Sequence, residues 1–163
     1  MTDLSRADLR ILQALQTDAH LTNVELAERV GMSPSPCLRR VKQLEARGVI
    51  GAYVALLDRR ALGLDVMAFV EVHIDRHTDT AADAFAGAVM REPEVAACYA
   101  LTGAFDYLIQ VIAPSLDAYA EFTMNRLLKM PGVKDVRSSF VLQAVKQSTA
   151  LPLAHLVHAL TSK

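Results

Sequence analysis

The spacing of apolar residues changes near residue 65, and this change limits the folds that the chain can adopt. In the first fifty residues, apolar side chains recur every three or four positions, as Leu9 and Leu12 do in SRADLRILQALQTD, which predicts helices. After residue 65 they alternate, as Val70 and Val72 do in DVMAFVEVHID, which predicts strands. The 163 residues are therefore expected to form a helical domain followed by a domain that contains a β-sheet.

Two of the predicted N-terminal helices are separated by a short turn. Thr22 and Glu25 form a capping box at the start of one helix, and Gly31 supplies the left-handed residue that ends it. Ser33 then fits an N-cap, and Pro34 fits the first helical position, where a missing N–H costs nothing. This arrangement predicts a helix–turn–helix.

The second helix of this motif concentrates positive charge in a chain whose net charge is −1. The segment SPSPCLRRVKQLEARG, residues 33–48, contains four cations and one acid, whereas residues 1–51 together contain seven cations and six acids. A basic helix after a short turn favours DNA binding in the major groove, and the alternative is a solvated amphipathic helix. Leu38, Val41 and Leu44 are the predicted buried stripe. The predicted polar face comprises Ser35, Arg39, Arg40, Lys42, Gln43 and Arg47.

The second half of the chain alternates strands and helices in the order β-α-β-β-α-β, which is that of a ferredoxin-like module. The class is therefore α+β. The last helix of this module is predicted over SLDAYAEFTMNRLLKM and the last strand over VKDVRSSFVLQAVK. An apolar sheet face without helices of its own suggests dimerisation.

Four segments follow from these patterns. Residues 1–51 are the predicted helix–turn–helix domain, 52–64 a strand and linker that belong to VIGAYVALLDRRALGL, and 65–147 the ferredoxin-like domain. Residues 148–163 form a tail, LPLAHLVHALTSK at its end, for which a short packed helix and a frayed terminus both remain open.

Enzymatic chemistry finds little support in the sequence. No G-x-S-x-G, P-loop or G-x-G-x-x-G motif is present. His73 and His77 lie on a strand and its exit, where a spacing of four does not converge on a metal, so neither a metal nor a cofactor is expected. Cys37 and Cys98 form no C-x-x-C pair and fit reduced, buried thiols. Because the N-terminus MTDLSRADLR also lacks a signal-peptide h-region, we expect a cytoplasmic protein.

The segment LTGAFDY, residues 101–107, is a candidate ligand loop. A turn at Gly103 exposes backbone N–H groups that can receive a carboxylate, and Asp106 can receive an ammonium group. These are the two ends of a free α-amino acid. The alternative is a plain hairpin turn, in which Gly and Asp are common.

The helix–turn–helix LTNVELAERVGMSPSPCLRRVKQLEARGVI, together with a βαββαβ domain that contains TGAFDYL, resembles the Lrp/AsnC (feast/famine) family of transcriptional regulators, in particular its leucine-responsive branch. The resemblance implies an N-terminal winged helix–turn–helix and a C-terminal RAM domain. It also implies homodimers that assemble into an octamer or a similar disc and bind an amino acid between dimers. The ligand loop then comprises Leu101, Thr102, Gly103, Asp106 and Tyr107, and the opposing subunit contributes Val133, Val136, Ser138 and Ser139.

The same resemblance assigns roles on the basic helix. Ser33, Ser35 and the helix start with Pro36 are expected to bind phosphate, Arg39, Arg40 and Gln43 to contact base edges, and Lys42 and Arg47 to contact the DNA backbone. Because Asp106 is the single charged residue of the loop, the expected effector is apolar, leucine or methionine. The alternative function is an effector-independent, nucleoid-associated architectural protein that bends or wraps DNA.

Overall fold

The computed structural model describes residues 4–75 and 81–161, and the chain divides into two compact units. The helical unit comprises Met1–Ala55 and Lys146–Lys163, and the sheet unit comprises Leu56–Val145. The predicted order, helices first and a sheet afterwards, is confirmed. The C-terminal tail returns to the helical unit.

The helical unit begins with α1 (Arg6–Thr17), α2 (Asn23–Arg29) and α3 (Pro34–Ala46). Both α1 and α2 start with a reciprocal capping box, Ser5 with Asp8 and Thr22 with Glu25, and these boxes satisfy backbone donors that a helix start leaves open. Gly31 has the left-handed φ of 67° that lets the chain leave α2 and turn at once into α3.

The core of the helical unit differs from the predicted stripe at one residue of α3. Cys37 and Leu44 are fully buried and Val41 is half-buried, but Leu38 is 42% exposed. Successive residues of a helix are rotated by roughly 100°, so a stripe that passes through Cys37 and Leu44 turns Leu38 away from the core. Placing Leu38 in the core was therefore wrong, and Cys37 is a core residue as expected.

The strand predicted at the start of VIGAYVALL is not formed, since residues 51–58 have no regular secondary structure. Tyr53 in this segment donates a hydrogen bond from its hydroxyl to Glu45 Oε1 of α3 at 3.0 Å. Partial burial and this acceptor together raise the pKa of Tyr53 to about 12.

The sheet unit has the predicted βαββαβ order. Its elements are β1 (Val66–Ile74), α4 (Ala81–Val89), β2 (Val95–Ala100), β3 (Tyr107–Ala113), α5 (Leu116–Asn125) and β4 (Val133–Phe140). The four strands form one antiparallel sheet in the order β2-β3-β1-β4, which is the ferredoxin-like arrangement.

Both helices of this unit cover the same face of the sheet. Val70 of β1 and Ile109 of β3 are fully buried in one cluster with Phe85 of α4 and Phe122 of α5. Residues of opposite parity point to the other side, which we call the helix-free face. There Phe69 remains 37% exposed and Tyr99 56% exposed.

Two elements of the sheet unit are shorter than predicted. The helix expected over residues 115–130 breaks at Arg126, and a 3₁₀ turn, Leu127–Lys129, follows. Arg126 is engaged at this break by Glu92 and Glu94. β4 ends at Phe140, well before the end of the predicted segment.

The tail forms α6 (Ala154–Thr161). Leu153 and Leu156 pack against the core of the helical unit. Gln16 of α1 pairs with the backbone of Leu151, accepting from its N–H at 2.6 Å and donating to its carbonyl at 3.3 Å. Of the two alternatives that the sequence left open for the tail, a short packed helix and a frayed terminus, the structure shows the packed helix. In the described residues, no helix is long and apolar enough to cross a bilayer.

Candidate nucleic-acid interface and ligand loop

One side of α3 is exposed and carries four polar and two apolar side chains. These residues recur every three or four positions, so they lie in a row along the helix. They line a shallow surface depression, and all of them are exposed. We call this row the outer face of α3: Ser35, Leu38, Arg39, Lys42, Gln43 and Ala46.

The start of α3 lies next to this row. Ser33 is its N-cap, yet the Ser33 side chain makes no capping hydrogen bond, and both Ser33 and Ser35 are exposed. Pro36, half-buried, belongs to the first turn. Asn23 of α2 donates from its side-chain amide to the Pro34 carbonyl at 3.0 Å, which holds the two helices of the motif together. A 13-residue helix also places partial positive charge at this end.

Arg40 points away from the outer face. Its Nη1 lies 3.0 Å from Asp8 Oδ1 and 3.1 Å from Ser5 Oγ, so the guanidinium joins the capping box of α1. Asp8 is only 7% exposed. Burial acts to raise the pKa of Asp8, but hydrogen bonds from Ser5 and Arg40 outweigh it and lower the pKa below the ordinary value of 3.8. This contact is internal to the helical unit.

Lys42 and Arg47 lie further along the helix. Lys42 is exposed on the outer face, next to Gln43. Arg47 is the C-cap of α3, is exposed, and follows the last helical residue Ala46. Arg39 and Lys42 are thus the two cations of the outer face.

The loop between β2 and β3 is tied to the end of β1. Asp106 Oδ2 accepts from the Ile74 backbone N–H at 2.8 Å, and the Asp106 N–H donates to the Val72 carbonyl at 3.1 Å. The loop closes on itself because the Leu101 N–H donates to the Asp106 carbonyl at 2.9 Å. The Asp106 carboxylate therefore organises the loop.

The tip of this loop, from Leu101 through Thr102 and Gly103 to Ala104, is exposed. Gly103 has a φ of +135°, a conformation that L side chains rarely adopt, so glycine is required by the backbone path. Because the loop is anchored at Asp106 and exposed at its tip, backbone N–H groups of the tip can face a ligand carboxylate.

Phe105 extends from the loop over the helix-free face, a contact that sequence reasoning missed. Its ring lies 5.0 Å from the His73 ring in an edge-on arrangement and 5.7 Å from the Arg137 guanidinium. His73 also approaches Asp135 at 3.8 Å. Only the tertiary structure joins these residues, because β4 is next to β1 but distant in sequence.

Tyr107 points to the opposite side, toward the helices. Its ring packs on Phe85 of α4 at 4.8 Å, and burial raises the pKa of Tyr107. Gly103 and Tyr107 are thus near each other in sequence but differ in surroundings, one exposed at the tip and the other part of the sheet core.

The four β4 positions suggested by resemblance are divided between the two faces of the sheet. Val133 and Val136 pack against the sheet core, and the Ser138 hydroxyl accepts a hydrogen bond from the Tyr119 hydroxyl of α5. Ser139 is exposed and pairs with Phe69 of β1, on the helix-free face. Within one chain, the structure does not bring all four to one surface.

The loop and the start of β4 nevertheless lie at the same end of the sheet. β3 and β4 both run antiparallel to β1, so their first residues meet its last ones. Ile74, which donates to Asp106, is also the register partner of Val133. This end of the sheet unit therefore brings together the loop and the turn before β4.

Other chemistry is sparse. Burial raises the pKa of both Cys37 and Cys98, which fits unreactive thiols. In the ranges 4–75 and 81–161, no three His, Cys, Asp or Glu side chains converge in a way that could hold a metal ion. His77, considered above with His73, lies outside the described residues.

Two family models match the two parts of the chain. Residues 4–50 match a winged helix-turn-helix DNA-binding model, and residues 67–151 match the Lrp/AsnC ligand binding domain. The leucine-responsive regulatory proteins of Salmonella typhimurium and Escherichia coli K12 are each 42% identical over 149 residues, which is 91% of this chain and 91% of theirs.

Solved structures agree with these matches. A transcriptional regulator from Neisseria meningitidis, solved as a complex with L-Met, is 48% identical with a TM-score of 0.91, covering 94% of this chain and 99% of its own. An AsnC family transcriptional regulator from Agrobacterium tumefaciens is 36% identical with a TM-score of 0.89 at the same coverage. The relatives of the present chain are transcriptional regulators and not enzymes. This chain belongs to the Lrp/AsnC family of DNA-binding transcriptional regulators.

Proposed function

We propose that this regulator binds DNA with the outer face of α3 and that a free apolar amino acid, bound at the 101–106 loop, changes how it does so. The observation that carries the DNA part is the row of exposed polar residues on α3, with the cations Arg39 and Lys42, in a chain that is nearly neutral overall. A local positive row complements the phosphates on either side of a major groove.

The residues of α3 then divide by position. Ser33, Ser35 and the helix start at Pro36 contact phosphate, where exposed hydroxyls add to the partial positive charge of the helix end. Arg39 and Gln43 contact base edges, while Lys42 and Arg47 contact the DNA backbone. Arg40, engaged by Asp8 and Ser5, holds α3 against α1 and so positions the neighbouring residues.

The effector part rests on the loop geometry. The exposed tip at Leu101, Thr102 and Gly103 offers backbone groups to a carboxylate, and Asp106 at its base supplies negative charge for an ammonium group. Tyr107 supports the loop from the sheet core. The Neisseria meningitidis relative was solved with L-Met, which supports methionine as the effector here, and the names of the leucine-responsive relatives support leucine.

The remaining contacts come from a second copy of the chain. We assign the edge strand β4 of that copy, which carries Val133, Val136, Ser138 and Ser139 on its two faces, to the opposing side of the effector site. The partly exposed helix-free face with Phe69 and Tyr99 is assigned to dimerisation. Dimers assemble further, to an octamer or a similar ring. A protein that regulates transcription in this way works on the nucleoid, in the cytoplasm.

The effector is tested by thermal unfolding with each proteinogenic amino acid in turn. We expect leucine or methionine to raise the unfolding temperature, because a ligand that binds the folded state stabilises it. Light scattering by the protein, with and without the amino acid that raises the unfolding temperature most, then measures whether this amino acid changes the size of the oligomer. The absence of a shift with every amino acid would favour the alternative, an architectural protein that organises DNA without an effector.

DNA binding by α3 is tested by fluorescence anisotropy with a labelled duplex. Arg39→Ala and Lys42→Ala are expected to weaken binding and to reduce its dependence on salt concentration. Lys129→Ala, which removes an exposed cation from the sheet unit, is the matched control. Equal affinities of the wild type and both α3 variants would contradict the assignment of α3.

A further inference from the structure

We propose that Leu38 reads the 5-methyl group of thymine in the major groove. The inference rests on the DNA-binding role proposed above for the outer face of α3 and adds a specificity determinant to it. Leu38 is the member of the predicted apolar stripe of α3 that the structure places outside the core.

Leu38 is not needed by the core of the helical unit. Cys37 and Leu44 fill the α3 side of that core and are fully buried, whereas Leu38 is 42% exposed. Instead it shares a shallow depression with Ser35 and Arg39, and Lys42 lies one turn further along. A large aliphatic side chain in a row of charged and polar groups has apolar surface that water covers in the free protein.

The position of Leu38 along the helix suits contact with bases. It lies in the second turn of α3, and the N-terminal part of a recognition helix is the part that reaches base edges. Its neighbours Arg39 and Lys42 are exposed cations, so the surface around Leu38 is attracted to the phosphates that flank a groove. DNA is therefore the partner whose charge complements this row.

Thymine presents the one apolar group of the major groove, its 5-methyl, and apolar side chains contact it there. Contact with Leu38 removes that methyl group and part of the leucine from water. Burial of one methyl-sized group corresponds to about a fourfold difference in affinity. We therefore expect a preference for thymine over any base without the methyl group at one position of each half-site.

Deoxyuridine isolates this contact because it lacks only the methyl group. Duplexes that the wild-type protein binds are first selected from a randomised pool, and footprinting defines the region that the protein covers. Each thymine in that region is then replaced singly by deoxyuridine. Anisotropy titrations compare the wild type with Leu38→Ala. Leu116→Ala, which removes a 60% exposed leucine from the sheet unit, is the matched control.

For at least one position, we expect the wild type and Leu116→Ala to bind the deoxyuridine duplex about fourfold more weakly, and Leu38→Ala to bind both duplexes equally. The proposal is overturned if the wild type tolerates every replacement, if Leu38→Ala keeps the preference, or if the selected sites contain no thymine. If any of these results is found while Arg39→Ala still weakens DNA binding, then α3 binds DNA but Leu38 does not read thymine.

Discussion

Arg40 and Asp8, 32 residues apart in sequence, form an ion pair in which Nη1 lies 3.0 Å from Oδ1. The pair joins the middle of α3 to the first turn of α1, and Ser5 completes it with an oxygen 3.1 Å from the same nitrogen. Two adjacent arginines therefore have different surroundings, since Arg39 is exposed on the outer face.

Because of this difference, we expect two similar substitutions to affect different properties, stability for Arg40→Ala and DNA binding for Arg39→Ala. Arg40→Ala leaves the nearly buried Asp8 carboxylate without its cation and is expected to lower the free energy of unfolding by about 1–3 kcal/mol. Arg39→Ala is expected to change stability by less than about 0.5 kcal/mol but to weaken DNA binding. Urea unfolding followed by circular dichroism and anisotropy with a duplex measure the two effects. A stable Arg40→Ala protein with selectively weakened DNA binding would return Arg40 to the base-contacting set.

Asp8 also predicts a dependence of stability on pH. Its pKa is lowered in the folded protein, so its ionised form stabilises the fold fully above the ordinary value of 3.8 and progressively less as pH falls through the folded pKa. Asp8→Asn removes this titration. The stability difference between wild type and Asp8→Asn, measured by urea unfolding, should be constant near neutral pH and shrink below pH 3.8. A difference that does not change with pH would show that the charge of Asp8 is irrelevant.

The elements that sequence predicted well are those specified by local patterns. The capping box at Thr22, the left-handed Gly31 and the alternation of β1 each depend on residues a few positions apart. Such signals act within one turn or one strand, so neighbouring residues suffice to specify them. The βαββαβ order followed from the alternation of these segments.

The features that sequence missed depend on distant partners. The bond between Arg40 and Asp8 and the contact of Phe105 with Arg137 join segments that no local spacing relates. Leu38 was placed in the core because its spacing from Val41 and Leu44 is helical, but Cys37 and Leu44 fill the α3 side of that core and Leu38 stays 42% exposed. The strand expected at the start of VIGAYVALL is absent because local sequence alone does not make a strand; a hydrogen-bonded neighbour is required.

The contacts of Asp106 predict that two substitutions can separate its charge, which would bind the ligand, from its hydrogen bond, which holds the loop. Asp106→Asn keeps an oxygen that can accept from the Ile74 N–H, so the loop and its stability should be retained while affinity for an amino-acid ammonium group falls. Asp106→Ala removes the acceptor as well and should lower the free energy of unfolding by about 1–2 kcal/mol. Thermal unfolding and calorimetric titration with L-methionine measure these effects. Wild-type affinity in Asp106→Asn would assign the carboxylate a structural role alone.

Gly132 is predicted to be the most sensitive glycine of the sheet unit. A Cβ there would lie 2.9 Å from Ala81 Cβ and 3.1 Å from Ile74 Cγ2, at a φ of +75°. Gly132→Ala should therefore cost about 2–4 kcal/mol, from backbone strain and overpacking together. Gly63→Ala is the control, because its φ is +72° but no atom lies within 4 Å of the added carbon. Equal destabilisation of both variants would mean that the contact with Ala81 is relieved without cost.

The packing of α6 predicts that C-terminal residues stabilise the helical unit, although they are far from the helix–turn–helix in sequence. Leu156 of α6 packs against the core of the helical unit, whereas the Leu151 side chain is 71% exposed and only its backbone pairs with Gln16. Leu156→Ala should lower the free energy of unfolding by about 1–2 kcal/mol, since part of a leucine is returned to water, and Leu151→Ala should have little effect. Hydrogen exchange of peptides from α1 measures the change where it arises, and it should be faster in Leu156→Ala than in Leu151→Ala. Identical exchange in the two variants would show that α6 does not contribute to the stability of the helical unit.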